Sequence, residues 1–194
     1  MADRAGGSGG FRVALAGGST PRGVYERLAR RDLAWSRWHV WWSDERVVPP
    51  DHPDSNERMA REALLDRVSI PRDHVHPLRS VDVELPDRFD LILLGIGPDG
   101  HTASLFPGDP ALAAREPVAR VERPGLPPPH PRLTFTYPVL NSARAVAFLV
   151  AGADKRDVLA RVLAGDESLP AARVSAPETV VLSDEEAAPP AGSR

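Results

Sequence analysis

The segment FDLILLGIGPDGHTASLFPG, residues 89–108, carries the sharpest chemical signal in the chain. An apolar run, Phe89–Gly95, ends in Gly97, Pro98, Asp99 and Gly100, and His101 follows at once. Asp99 is near enough in sequence to bond one ring nitrogen of His101, fix its tautomer and stabilise the imidazolium once formed. A neutral imidazole at the C-terminal end of a strand suits general-base work, which is worth about 10²–10⁴-fold in rate. The pattern predicts a short helix over His101–Leu105, whose N-terminal dipole would disfavour a positive ring. A packed histidine in a turn is the plainer alternative, but two glycines, a carboxylate and a buried strand accompany this one.

A second segment, LAGGSTPRGVYERLA at residues 15–29, reads as a strand, a glycine turn and a helix. Gly17 and Gly18 permit a tight turn and close approach of a ligand. Ser19 or Thr20 is expected to cap the helix, with Pro21 at its first position. Free N–H groups at such a helix start attract phosphate, and two hydroxyls add donors. The same residues also suit a βα turn with no ligand. The segment is neither a Walker A loop nor a Gly-x-Gly-x-x-Gly dinucleotide motif. A third segment, WWSDERVVPPDHPDSNERMA at residues 41–60, runs from a strand into Ser43-Asp44-Glu45-Arg46. Arg46 can fork onto a phosphate or carboxylate, and Asp44 can orient Arg46 or a substrate hydroxyl. A solvated charged turn is the alternative there.

The elements that must position these residues alternate in type. Strands are expected at Phe11–Ala16, His39–Ser43, Phe89–Gly95, Leu133–Tyr137, Ala145–Val150 and Glu178–Leu182. Helical spacing marks Pro21–Arg31, Asn56–Val68 and Asp154–Leu163, with Asp154 as an N-cap. Arg123–Arg132 is Pro-rich and reads as a loop. The alternation predicts a single α/β domain over 11–184, a three-layer αβα sandwich with a mostly parallel, Rossmann-like sheet. A flexible tail over 1–10 and a frayed tail over 185–194 flank it.

Composition narrows the function classes. A net charge of −3 over 194 residues argues against a nucleic-acid binder, though a few cations suffice for one phosphate. With no cysteine there is no disulfide, thiolate metal site or cysteine nucleophile. No apolar run spans a membrane and no secretory leader is evident, so a cytoplasmic protein with no membrane partner is expected. His74 and His76 would share a strand face without a third ligand, while His52 and His130 lie in Pro-rich loops and His39 precedes a strand. No metal and no organic cofactor are expected.

Taken together, GGSTP, SDER with DSNERMA, and GIGPDGHTASLFPG resemble the 6-phosphogluconolactonases of the pentose phosphate pathway, in that family's order. FLVAGADKRDVLARVL, residues 148–163, is similar to the family's late strand–helix step and holds the one lysine among 24 basic residues, Lys155. The resemblance runs from about residue 11 to 182. It implies that Gly17, Gly18, Ser19 and Thr20 line a sugar-phosphate pocket and that Arg46 and Lys155 bind the phosphate. It also implies that His101, supported by Asp99, deprotonates a water that attacks a phosphorylated sugar lactone. Glucosamine-6-phosphate deaminases share the Asp-Gly-His turn but continue it differently and carry tyrosine at the place of Arg46. Thr102-Ala103-Ser104-Leu105-Phe106 follows the lactonase pattern. A deaminase-type enzyme and a non-catalytic sugar-phosphate-binding regulator are the rival readings, and a monomer is expected. The family's members usually begin with a helix before the first strand and have another before FDLILLG. Here a Gly-rich tail and a short, Pro-rich 78–88 segment stand in those places, so apolar surface is expected on one flank.

Overall fold

The structure, a computed structural model, describes residues 10–122 and 128–190. Residues 1–9 of the tail expected over 1–10, part of the Pro-rich loop (123–127) and the last four residues lie outside that range. A five-stranded sheet forms the centre: β1 (Phe11–Leu15), β2 (Trp38–Trp42), β4 (Leu91–Leu94), β7 (Ala145–Val150) and β8 (Glu178–Ser183), in the order β2-β1-β4-β7-β8. Every pairing in it is parallel. β7 is buried at all six positions and β4 at three of four, as the continuous apolar runs require of strands covered on both faces.

The strand order explains the layers. β1 to β2 steps one way along the sheet and β7 to β8 the other, so right-handed crossovers put their helices on opposite faces. Those helices are α1 (Ser19–Leu28) and α4 (Arg156–Leu163). The direction of winding reverses between β1 and β4, which is where an open α/β sheet leaves a crevice beyond its carboxyl ends. The α/β sandwich expected from the sequence is therefore the fold.

A second, antiparallel sheet was not foreseen. β3 (Asp44–Arg46), β5 (Val118–Val121) and β6 (Arg132–Phe135) pair in the order β3-β6-β5, with Arg46 directly opposite Arg132. It hangs from the central sheet through Ser43, whose N–H donates to Leu15 O and whose O accepts from Phe135 N–H, both at 2.8 Å. α2 (Asn56–Ala63) and α3 (Tyr137–Ser142) are the other α-helices among the described residues.

Several local expectations are corrected. α1 begins at Ser19 itself, so Gly18 is its N-cap, at φ 106, and neither Ser19 nor Thr20 caps it. Pro21 is accordingly the third helical residue. α2 stops at Ala63 and gives way to a 3-10 turn, Leu65–Arg67. Asp154 does not cap α4; a 3-10 turn, Ala153–Lys155, precedes that helix. The strand foreseen from Leu133 begins at Arg132 and stops at Phe135, because Thr136 bonds Glu116 O and Tyr137 opens α3. Past β8 the chain stays on the domain as far as Ala187, which is fully buried and donates its N–H to Asp184. Leu163 on α4 and Leu182 on the edge strand β8 are more than half exposed. The 78–88 segment forms no helix. At the other edge, residues 75 and 76 pair alongside β2 at Val40, and His39 stacks on His74 with ring centroids 3.7 Å apart.

Candidate active site

A cleft of about 220 Å³ opens beyond the carboxyl ends of β1 and β4. It is lined by Gly17, Gly18, Ser19 and Thr20 on one side, and by Asp44 and Arg46 on β3. His101 and Lys155 face it from the remaining sides. Of the residues singled out from sequence, only Asp99 stands behind the wall rather than on it. Two further polar residues, Asn56 and Arg132, line the cleft and were not foreseen.

Tyr25 holds the glycine turn in place. Its hydroxyl donates to Ala16 O and accepts from Ala16 N–H, each at 2.9 Å, and burial pushes the phenol well above its ordinary pKa. A methyl group at residue 17 would overlap the Asn56 side chain, so only glycine fits there. Asn56 Nδ2 donates to Asp44 O at 3.0 Å and to Asp44 Oδ1 at 3.2 Å. The other carboxylate oxygen of Asp44 accepts from Ser104 Oγ at 2.7 Å. Asp44 is thus a buried tie between the start of α2 and the His101 turn, and its hydrogen bonds are to Asn56 and Ser104 rather than to Arg46.

The two helix starts beside the cleft differ. Glu45 fills that of α2: its carboxylate accepts the N–H groups of Asn56 at 2.7 Å and Glu57 at 2.6 Å, and the Ser55 hydroxyl at 3.2 Å. Burial raises the Glu45 pKa, against the opposing effect of these amide donors. The start of α1 has no acidic residue in its first turn and no side-chain cap. Its dipole and amides are left to an external anion.

His101 sits on an irregular turn, not on the helix expected over 101–105. Thr102 Oγ1 donates to Gly95 O at 2.9 Å, and Ser104 N–H donates to Thr134 Oγ1 at 3.0 Å. These ties to both sheets pull the segment out of helical geometry and leave Ala103 at φ 47, a left-handed conformation uncommon outside glycine. No helix begins at His101, so the imidazole is not set on a helix N-terminus of its own turn. Asp99 does: its Oδ1 lies 2.5 Å from His101 Nδ1 and 3.2 Å from His101 N. Burial alone would raise the Asp99 carboxyl, but the hydrogen bonds and charge of His101 outweigh it and hold it below its ordinary value. With Nδ1 engaged, Nε2 is the nitrogen available for chemistry. The ring packs flat on residue 97, where a methyl group would overlap it, and lies 4.5 Å from the Phe106 ring.

The cationic side is formed by residues from three elements. Arg46 Nη1 donates to Asp54 O at 2.5 Å, and Arg132 Nη2 to Pro128 O at 3.2 Å. The Nε of each is buried without a partner among the described residues. Burial lowers the Arg132 pKa; Asp44 opposes this and Arg46 adds to it. Two adjacent guanidiniums with unmatched donors are a site in want of an anion. Lys155 also lines the cleft, mostly buried, with Nζ 3.3 Å from Asp154 Oδ2. Arg132 was missed because it closes a Pro-rich stretch that reads as loop. The alternation of Arg132-Leu133-Thr134-Phe135 was the signal that could have extended the strand back to it.

The fold and cleft define a Rossmann-like α/β protein with a cation-lined, histidine-bearing site at the switch point of its sheet. Residues 1–182 match the model of glucosamine-6-phosphate isomerases/6-phosphogluconolactonase, and the chain belongs to that family. A 6-phosphogluconolactonase of Nostoc sp. is 46% identical over 177 residues, 80% of this chain and 72% of that one. The crystal structure of a 6-phosphogluconolactonase from Thermotoga maritima superposes with a TM-score of 0.80 at 38% identity, covering 90% of this chain and 84% of that one. A monomeric glucosamine-6-phosphate deaminase has a TM-score of 0.76 at 21% identity, covering 91% and 86%; that likeness is one of fold.

Proposed function

We propose that the chain hydrolyses 6-phospho-D-glucono-1,5-lactone to 6-phosphogluconate, a step of the pentose phosphate pathway, with His101 as general base. The observation that carries this reading is one cleft lined both by an aspartate-paired imidazole and by three cations. The phosphate docks against the open start of α1, Arg46, Arg132 and Lys155. Docking brings the lactone carbonyl to a water held by His101 Nε2, so that binding energy at the phosphate supplies orientation. His101 takes a proton as the water oxygen bonds to the carbonyl carbon. Asp99 stabilises the imidazolium. The tetrahedral oxyanion collapses, the ring C–O bond breaks, and the imidazolium returns its proton to the departing alkoxide.

The 46% identity to a lactonase supports the substrate, and Arg46 with Thr102–Phe106 supports the same branch of the family. Among the described residues no helix is long and apolar enough to cross a membrane. The test is turnover of the lactone by the purified chain, with spontaneous hydrolysis subtracted, beside an assay of ammonia release from glucosamine 6-phosphate. Lactone hydrolysis above background without ammonia is expected. Ammonia release would assign the deaminase reaction, and phosphosugar binding with no turnover of either would assign a regulator.

A further inference from the structure

Two proline-rich loops meet beyond the outer end of the β3–β6 pair, residues 49–54 from one side and 128–131 from the other. Val47 N–H donates to Pro131 O at 2.8 Å and holds them together. His52 on the first loop and His130 on the second lie edge to face, with ring centroids 5.2 Å apart. Asp54 stands between them: its Oδ2 is 2.9 Å from His130 Nε2 and 3.9 Å from His52 Nδ1. One ligand atom from each of the three lies within 4.8 Å of the others. Their side chains are 31–39% exposed, so an ion can reach them from solvent.

Two imidazole nitrogens and one carboxylate oxygen are a donor set that zinc takes in tetrahedral geometry, with water as the fourth ligand. Metal–ligand bonds of about 2.0–2.2 Å put tetrahedral donors roughly 3.3 Å apart. The two separations from Asp54 Oδ2 fall on either side of that spacing, so small side-chain rotations suffice. His52 Nδ1 already accepts the Asp54 N–H at 3.1 Å, which aims its lone pair toward Asp54; capture of an ion replaces that bond.

We propose that His52, Asp54 and His130 form a zinc-type divalent-cation site, separate from His101, that clamps the two loops. These loops also carry the backbone oxygens that hold both cleft arginines, Asp54 O for Arg46 and Pro128 O for Arg132. Ion binding thereby stiffens the supports of the anion-binding wall. That last consequence rests on the proposed substrate reading; the binding itself does not.

The experiment is titration of the EDTA-treated full chain with zinc by equilibrium dialysis, and with cobalt(II) by visible absorption. One ion per chain is expected, with the intense bands of tetrahedral cobalt and a zinc-dependent rise in Tm. Losing a partner of a ligand costs about 10–100-fold in metal affinity, so His52→Gln and His130→Gln should each lose at least that much. Asp54→Asn keeps an acceptor for His130 and tests the charge without dismantling the loop. The Tm values of the zinc-free variants, compared with that of the zinc-free parent, separate lost binding from lost folding. His101→Ala should bind as the parent does. Unchanged affinity in folded His52→Gln and His130→Gln chains, or binding lost in His101→Ala, would overturn the proposal.

Discussion

The two ends of the cleft are built in different ways. The end with the proposed base is local: Gly97, Asp99 and His101 lie within five residues, and one turn sets the Asp99–His101 hydrogen bond and the seat for the ring. The anion end is assembled from α1, β3, β6 and the turn before α4, elements spread over more than a hundred residues. A local end depends on backbone shape, whereas an assembled one depends on the β3–β6 register that sets Arg46 opposite Arg132. In the proposed reaction the first end governs turnover and the second governs affinity, and that division can be broken experimentally.

The largest effect is expected at the base end. His101→Ala should lower kcat by about 10²–10⁴-fold and leave KM nearly unchanged, read from background-subtracted lactone hydrolysis. Gly97→Ala should approach the same loss, because the added methyl group takes the space of the imidazole while every named side chain is retained. An active Gly97→Ala enzyme with a normal fold would show that ring placement at this turn is not required.

The anion end should respond in KM. Hydrogen bonds to a charged partner contribute about 1.5–3 kcal/mol, so Arg132→Gln should raise KM about 10–100-fold with kcat little changed. A fall in kcat instead would move Arg132 from affinity to chemistry. Asp99→Asn should have the smallest kinetic effect, about 10-fold in kcat, at the low end for a group that orients another. It also has a pH signature. Asp99 is held below its ordinary value of 3.8, so its ionised form stabilises the fold at higher pH. That stability is lost as pH falls through the depressed value. The Tm gap between the parent and Asp99→Asn should therefore narrow toward acid; a gap constant with pH would argue against the Asp99–His101 bond.

The same contrast governs what the sequence reveals. Strands buried on both faces, such as β4 and β7, are continuous apolar runs and are readable as such. So is a histidine whose carboxylate partner lies two residues away. The β3-β6-β5 sheet is not, because three-residue β3 is charged in sequence yet buried in the fold through long-range pairing. Arg132 entered the cleft by that route, and Asn56 through its hydrogen bonds to Asp44 of β3. The expected helix at His101 failed for a related reason: Ser104 is bound by Asp44 and Thr134, partners 60 and 30 residues away, which outweigh local helical preference. The uncapped start of α1 was misread at the level of one residue, with Gly18 rather than Ser19 or Thr20 at the boundary. The docking of Ala187 had no signal in an Ala/Pro-rich tail.

Calorimetric binding of 6-phosphogluconate to His101→Ala and to Arg132→Gln measures the division of labour without turnover. The account predicts that His101→Ala binds within about 3-fold of the parent, a difference under 1 kcal/mol, while Arg132→Gln loses at least 10-fold, or 1.4 kcal/mol. Full affinity in Arg132→Gln, or an equal loss in both, would contradict it.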